Sequence, residues 1–202
     1  MKNGIKFVYF DVGNVFMTFD KVFTKVTKDF NLDMTKLDLA YEKYDTDFNL
    51  GKIDAPYVWA KLCDELNIKN GEKYNIIESW ESDYESILPM HDLAKSIAKT
   101  YKVGIISNYF RGYFEEAIKQ KFIPEINFDS VIISAEVGCK KPEEEIYKIA
   151  EEKCGYKGKE IFFIDDKKEN LFTAATLGWQ TFLLDYKNPE KSCKEIGKIL
   201  LS

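Results

Sequence analysis

Five short runs of this chain are almost wholly apolar: Ile5–Phe10, Val103–Ser107, Val131–Ser134, Ile161–Ile164 and Thr181–Leu184. A strand with one face in water alternates apolar and polar residues, whereas a strand buried on both faces does not. The runs therefore predict five strands inside a sheet covered on both sides. Between them the apolar residues recur at helical spacing. Leu93, Ala94, Ile97 and Ala98 precede the second run, and Phe114, Ala117, Ile118 and Phe122 follow it. Ile146, Ile149 and Ala150 lead to Gly155, and Leu171, Ala174, Ala175 and Leu177 lead to Gly178, both glycines standing where helices stop. Strands alternating with helices predict an α/β fold with a doubly wound parallel sheet.

The first interval breaks this rhythm. About 90 residues separate the first two runs, where a simple crossover unit needs about 30. Helical patterns at Phe23–Phe30, Lys36–Tyr44, Tyr57–Leu66 and Tyr74–Tyr84 fill it, with breaks near Asp54-Ala55-Pro56 and Asn70-Gly71, and Leu88-Pro89 leads back. The division predicted is a core of residues 1–18 and 87–202 with a small helical domain, 19–86, inserted after strand one.

Composition narrows the chemistry. The 202 residues are 45% apolar and 31% charged, with 15 Phe, 12 Tyr and 3 Trp, so a packed core rather than disorder is expected. The net charge of −5 argues against nucleic acid as a partner. The single histidine, His91, excludes two-histidine metal sites and is read as structural. Cys63, Cys139, Cys154 and Cys193 form no C-x-x-C pair, which predicts reduced thiols and packing roles in a cytoplasmic protein. The start of the chain does not read as a signal peptide, and no apolar run is long enough for a membrane span.

Ligands of open α/β sheets bind beyond the carboxyl ends of the strands. Strand one is followed by Asp11-Val12-Gly13-Asn14-Val15 and strand two by Ser107-Asn108. Strand three is followed by Gly138-Cys139-Lys140-Lys141-Pro142, and strand four by Asp165-Asp166, with Asn170 beyond. Singly, each has an ordinary reading: a turn, a solvated acid pair, a surface lysine. Together, in order and each at a strand end, they describe one site. Pro142 is expected in the first turn of a helix, which puts Lys141 near a helix N-terminus, where anions are favoured.

These segments resemble the four motifs of the haloacid dehalogenase-like hydrolase superfamily. They are most similar to its capped subfamily I and, through Asp-x-Gly-Asn, to the branch that includes glucose-1-phosphate phosphatases. The resemblance covers residues 4–18 and 87–185 and implies strand order 5-4-1-2-3 with a helical cap in the insertion. It implies Asp11 as nucleophile and Ser107 and Lys141 as catalytic partners. Substrate would be bound by Ser107, Asn108, Lys141, Arg111 and Asn14. Mg²⁺ would be held by Asp11, the Gly13 carbonyl and Asp166, with Asp165 in contact through water or as an orienting group. The implied activity is a Mg²⁺-dependent phosphatase acting on a small phosphorylated metabolite, a sugar phosphate among the candidates, through an aspartyl-phosphate. No nucleic-acid or membrane partner is expected, and the protein is expected to be a monomer or homodimer.

One departure matters. The family's phosphatases carry a second Asp two residues after the nucleophile as general acid, and here that position is Gly13. Asp20 is read first as a helix cap before Val22 and second as a replacement acid. In the insertion Tyr41, Tyr44, Asp45, Asp47 and Phe48 cluster, with core packing and sugar binding as competing readings. Two other functions remain open. A 2-haloacid dehalogenase would also use Asp11 but needs no metal, against which the Asp165-Asp166 pair speaks. A non-catalytic phosphate-binding member is favoured only by Gly13.

Overall fold

Phe7–Phe10 forms β1 at the centre of the sheet, and all four residues are buried. The computed structural model describes residues 4–19 and 21–201. After β1 come β2 (Met17–Thr18), α1 (Thr24–Phe30), α2 (Met34–Asn49), α3 (Ala55–Leu66), α4 (Ile76–Ser82) and β3 (Glu85–Ser86). The chain continues through α5 (Leu88–Ile97), β4 (Lys102–Ser107), α6 (Phe114–Lys119), β5 (Ser130–Ile133), α7 (Ser134–Val137) and α8 (Glu144–Cys154). It ends with β6 (Ile161–Asp165), α9 (Lys168–Thr176), β7 (Gln180–Leu183) and α10 (Pro189–Leu200).

The large sheet runs β5-β4-β1-β6-β7, and every neighbouring pair is parallel. Its numbering differs from the expected one because the short strands β2 and β3 intervene. Counting only the five long strands, the order is 3-2-1-4-5, which is 5-4-1-2-3 from the other edge. Alternate residues of the strands serve opposite faces, as the pleat requires. Val8, Phe10, Ile105 and Ile164 pack on one side with α5, α6 and α10. Phe7, Tyr9, Ile106 and Phe163 pack on the other with α8 and α9. Continuous apolar strands are the consequence of two covered faces. Gly155 ends α8 in the left-handed conformation, φ +75°, as its position predicts.

The four helices α1–α4 stand between β2 and β3, which pair antiparallel through Met17↔Ser86 and Thr18↔Glu85. Entry and exit of this insert are thus adjacent. Asp33 and Asp54 cap α2 and α3 by accepting from the Lys36 and Tyr57 backbone N–H groups. The insert is also fastened to the far end of β5. The Ser134 hydroxyl donates to the Asn49 carbonyl at 2.6 Å. Gly51, φ +69°, lies so close to Ala135 that a Cβ would meet its carbonyl oxygen at 2.2 Å. His91 sits within α5, where its Nε2 is 3.0 Å from the Phe16 carbonyl, a structural role as expected. No described helix is long and apolar enough to cross a membrane.

Candidate active site

At the carboxyl end of the sheet β1, β4 and β6 bring Asp11, Ser107 and Asp165 together: Phe10 pairs with Ile105 and with Ile164, so Asp11 is level with Asp165 and Ser107 stands one residue further along β4. The turn after β1 is tight. Three backbone N–H groups, of Val15, Phe16 and Met17, converge on the Val12 carbonyl, and Asn14 adopts φ +55°. This turn places Asn14 to donate from Nδ2 to Asp166 at 3.0 Å.

One oxygen of Asp11 is fixed by three donors. Its Oδ1 accepts from the Ser107 hydroxyl at 2.6 Å, from its neighbour's Val12 N–H at 2.7 Å, and pairs with Lys141 Nζ at 2.9 Å. Lys141 is itself buried and bridges to Asp165 at 2.6 Å, with its ammonium 5.3 Å from the centre of the Phe163 ring. Asp165 accepts further bonds from Asn170 Nδ2 and from the Lys167 N–H. Both of its oxygens therefore accept from protein donors. Carboxylate oxygens of Asp11, Asp165 and Asp166 lie within 4.8 Å of one another. Such an all-oxygen donor set suits a hard divalent cation.

Burial pushes the Asp11 carboxyl up to about 6 from its ordinary 3.8, Lys141 pulls it back, and Asp165 pushes it up again. Burial also raises Asp166, opposed by the bond from Asn14. For Lys141 burial favours the neutral amine, but Asp11 and Asp165 together outweigh it and hold the ammonium above its ordinary range. A carboxyl raised in the folded state stabilises the fold below its unfolded value near 3.8 and loses that contribution as the pH rises through about 6. The metal-free protein should thus lose up to about 3 kcal/mol from this group between pH 4 and pH 7. Chemical denaturation of wild type and Asp11→Asn across that window checks it: the variant should gain on wild type as the pH rises, and a constant difference would contradict the sign.

Several expectations are met otherwise than the sequence implied. Asn108 does not present its amide to the site: Oδ1 accepts from the Lys141 N–H and Nδ2 donates to the Lys141 carbonyl, both at 2.8 Å. It holds the backbone from which Lys141 projects. Pro142 is not in a first helical turn. It precedes Glu143, the cap residue of α8, and the Lys141-Pro142 bond is cis. Arg111 is turned away from the cleft and donates to the Ala135 carbonyl at 2.8 Å, lining a separate recess, because the chain after β4 leads it past α7. Asp20 lies outside the described residues. Of the insert's cluster, Tyr41, Asp45 and Phe48 face the cleft, whereas Tyr44 bonds Glu65 and Asp47 bonds Lys52 on the other side of α2.

The cleft above Asp11, of about 460 Å³, is closed on its far side by the insert. Phe19 lies against Gly13, where a Cβ would meet its ring carbons at 2.5 and 2.8 Å, a contact that no periodicity in the chain announces. Asn170 and the aromatic pair Tyr109-Phe110 also line the cleft. Their signal was present: Tyr109-Phe110 directly follows the polar pair at the end of β4, and Asn170 falls in the first turn of the helix after Asp165.

Comparison with known proteins shows the family and the fold. Residues 5–178 match the family model of haloacid dehalogenase-like hydrolases. A mouse protein, acyl-CoA dehydrogenase family member 10, is 24% identical over 147 residues, 70% of this chain, and the match spans 13% of that protein's length. A predicted haloacid dehalogenase-like hydrolase from Porphyromonas gingivalis superposes with TM-score 0.77 at 22% identity, over 98% of both chains. An enzyme of the same family from Bacteroides thetaiotaomicron, solved with magnesium and inorganic phosphate, gives TM-score 0.68 at 21% identity, over 90% of this chain and 95% of that one. A 2-haloacid dehalogenase from Pseudomonas syringae gives 0.62 at 13%, over 92% and 87%. With a family match over most of its length, the site at the ends of its strands and the shared fold, the chain belongs to the haloacid dehalogenase-like hydrolases.

Proposed function

We propose that this hydrolase is a Mg²⁺-dependent phosphatase that cleaves a small phosphorylated metabolite through an aspartyl-phosphate on Asp11. The observation that carries the reading is the setting of the Asp11 carboxylate. Its Oδ1 accepts from Ser107 and Val12 and pairs with Lys141, which fixes the carboxylate at the floor of the cleft between a hydroxyl, a backbone N–H and an ammonium. A bound Mg²⁺ would be held by Asp11, Asp166 and the Gly13 carbonyl, and would neutralise the charge of the phosphoryl oxygens as two anions meet. A family member solved with magnesium and phosphate supports this choice of ion.

The Asp11 carboxylate attacks phosphorus, the bond from phosphorus to the ester oxygen breaks, and the leaving oxyanion departs with the electron pair. Ser107 and Lys141 steady the acceptor carboxylate and the incoming phosphoryl group. Water then attacks phosphorus, releasing phosphate and a proton and returning Asp11. Asp165, Asn170 and Asn108 hold Lys141 and act as positioning residues. The insert serves as a cap that excludes water, tied to the core through Lys140, whose Nζ donates to Thr46 at 3.0 Å.

A panel of phosphate monoesters tests the reading. Mg²⁺-dependent release of phosphate that a chelator abolishes is the expected result. Turnover of 2-chloropropionate in chelator would replace the reading by a dehalogenase. Binding of phosphate without turnover of any ester would replace it by a non-catalytic binding protein.

A further inference from the structure

In-line displacement sets the leaving oxygen opposite the attacking one, so the organic part of the substrate lies on the side of the cleft away from Asp11. Three tyrosines that the chemistry does not use line this cleft: Tyr41 of α2, Tyr84 at the end of the insert, and Tyr109 directly after Ser107-Asn108. The Phe19 ring, which covers Gly13, meets Tyr84 with centroids 5.0 Å apart and Tyr109 at 6.4 Å. None of the three hydroxyls has a hydrogen-bond partner among the described residues. Buried tyrosines elsewhere are satisfied: Tyr9 donates to the Ala150 carbonyl at 2.9 Å, Tyr101 to the Leu200 carbonyl at 2.8 Å and Tyr147 to the Asn170 carbonyl at 2.9 Å. Among the described residues only Trp80 Nε1 is both sealed from solvent and unpaired. The three phenol oxygens are therefore not sealed, and the space they open on is the cleft they line.

Burial pushes all three phenols above their ordinary range, and at Tyr84 the neighbouring Tyr109 and Tyr41 add to it. Each stays protonated at working pH and can both donate and accept. An apolar leaving group would take these hydroxyls out of water and give them no partner, a loss at each. An anionic one only accepts, and it would meet Asp45 and Glu169, which line the same cleft. Two of the cations there are committed, Lys141 to Asp11 and Asp165, and Lys140 to Thr46 at 3.0 Å with Asp45 at 3.8 Å. The third, Lys167, is exposed and belongs to the loop of Asp166, at the metal end of the cleft. A neutral group with several hydroxyls satisfies the phenols, because its hydroxyls also donate and accept. Its C–H faces pack on the Phe19, Phe23 and Phe48 rings that line the same space. Tyr41 and Tyr84 belong to the insert and Tyr109 to the core, so such a group would be held from both sides.

We propose that the hydroxyls of Tyr41, Tyr84 and Tyr109 form the leaving-group subsite and select a neutral polyhydroxylated alcohol, cyclic or linear, as the group cleaved from phosphate. The proposal rests on the phosphatase reading and adds to it the residues that choose the substrate. The test measures kcat/KM of the Mg²⁺-loaded full chain for sorbitol 6-phosphate, glucose 6-phosphate and glucose 1-phosphate. It sets them beside hexyl phosphate, which has no hydroxyl, and 6-phosphogluconate, which ends in a carboxylate. The best hydroxylated ester should exceed hexyl phosphate by about 100-fold and 6-phosphogluconate by about 10-fold. Tyr41→Phe, Tyr84→Phe and Tyr109→Phe each keep the ring and remove one unpaired hydroxyl. Each should lower the preference for that ester over hexyl phosphate by about 10-fold. The inhibition constant of inorganic phosphate, which carries no leaving group, should move by no more than about twofold. Thermal stability should not fall, because the free protein loses no hydrogen bond. A preference that none of the three substitutions reduces, or hexyl phosphate or 6-phosphogluconate as the best substrate, would overturn the subsite and leave the Asp11 chemistry standing. Absence of Mg²⁺-dependent turnover for every ester, hexyl phosphate included, would overturn the phosphatase reading and the subsite with it.

Discussion

Asp11→Asn should reduce phosphate release by about 10⁴-fold or more, the scale on which loss of a covalent nucleophile falls. The substitution is nearly isosteric. An amide oxygen in place of Oδ1 still accepts from Ser107, Val12 and Lys141. What disappears is the negatively charged carboxylate that attacks phosphorus. Binding of inorganic phosphate should survive and strengthen, because one buried anion no longer opposes another. Kinetics on any turned-over phosphate ester, set beside phosphate titration of the variant, separate the two effects. A variant with activity within about 10-fold of wild type would remove Asp11 from the nucleophile's role. The same variant should be the more stable protein near neutral pH, since burial has pushed the Asp11 carboxyl up to about 6 and the charged form is held at a cost. Catalytic groups kept at the expense of stability are common in enzymes.

The second large effect concerns Lys141. Its ammonium lies between Asp11 at 2.9 Å and Asp165 at 2.6 Å, and it is 2% exposed. Removing one partner of a buried ion pair leaves uncompensated charge and costs about 3–5 kcal/mol, and here two carboxylates lose their cation at once. Lys141→Met keeps the length and removes the charge. It should lower stability by about that amount at neutral pH and turnover by about 10³-fold, as deletion of a buried electrostatic donor does. Lys141→Arg should not restore activity. A planar guanidinium cannot occupy the slot between two carboxylates above the Phe163 ring as a compact ammonium does. Denaturant titration and steady-state kinetics check both variants. A fully active Lys141→Arg would show that charge alone suffices, against the positioning by Asn108, Asp165 and Asn170.

Much of this was legible in the chain. Phe7–Phe10 and Ile161–Ile164 read as buried strands because both faces of the sheet are covered, so their residues need not alternate. Polar residues directly after such runs have one place to go, and Asp11, Ser107, Lys141, Asp165 and Asp166 do meet at one end of the sheet. Elements without a period were not legible. Two-residue strands such as β2 and β3 carry no alternation, and α10, rich in Lys and Glu, shows few apolar positions before Ile196. The direction of a side chain after a strand was not legible either. Arg111 follows Asn108 by three residues yet leaves the cleft, while Asn108 spends both ends of its amide on the Lys141 backbone. The contact of Phe19 with Gly13 joins residues across a turn whose path depends on the left-handed Asn14.

The central step is transfer of the phosphoryl group to the carboxylate of Asp11. Rapid-quench mass spectrometry of the Asp11 peptide, after a single turnover of Mg²⁺-loaded enzyme in heavy-oxygen water, tests this directly. A transient gain of one phosphoryl group on Asp11 is expected, followed by return of an unlabelled carboxylate with the heavy oxygen in the released phosphate. Heavy oxygen retained in Asp11, the mark of water attacking an ester carbonyl, or phosphate released with Asp11 unmodified throughout, would contradict it.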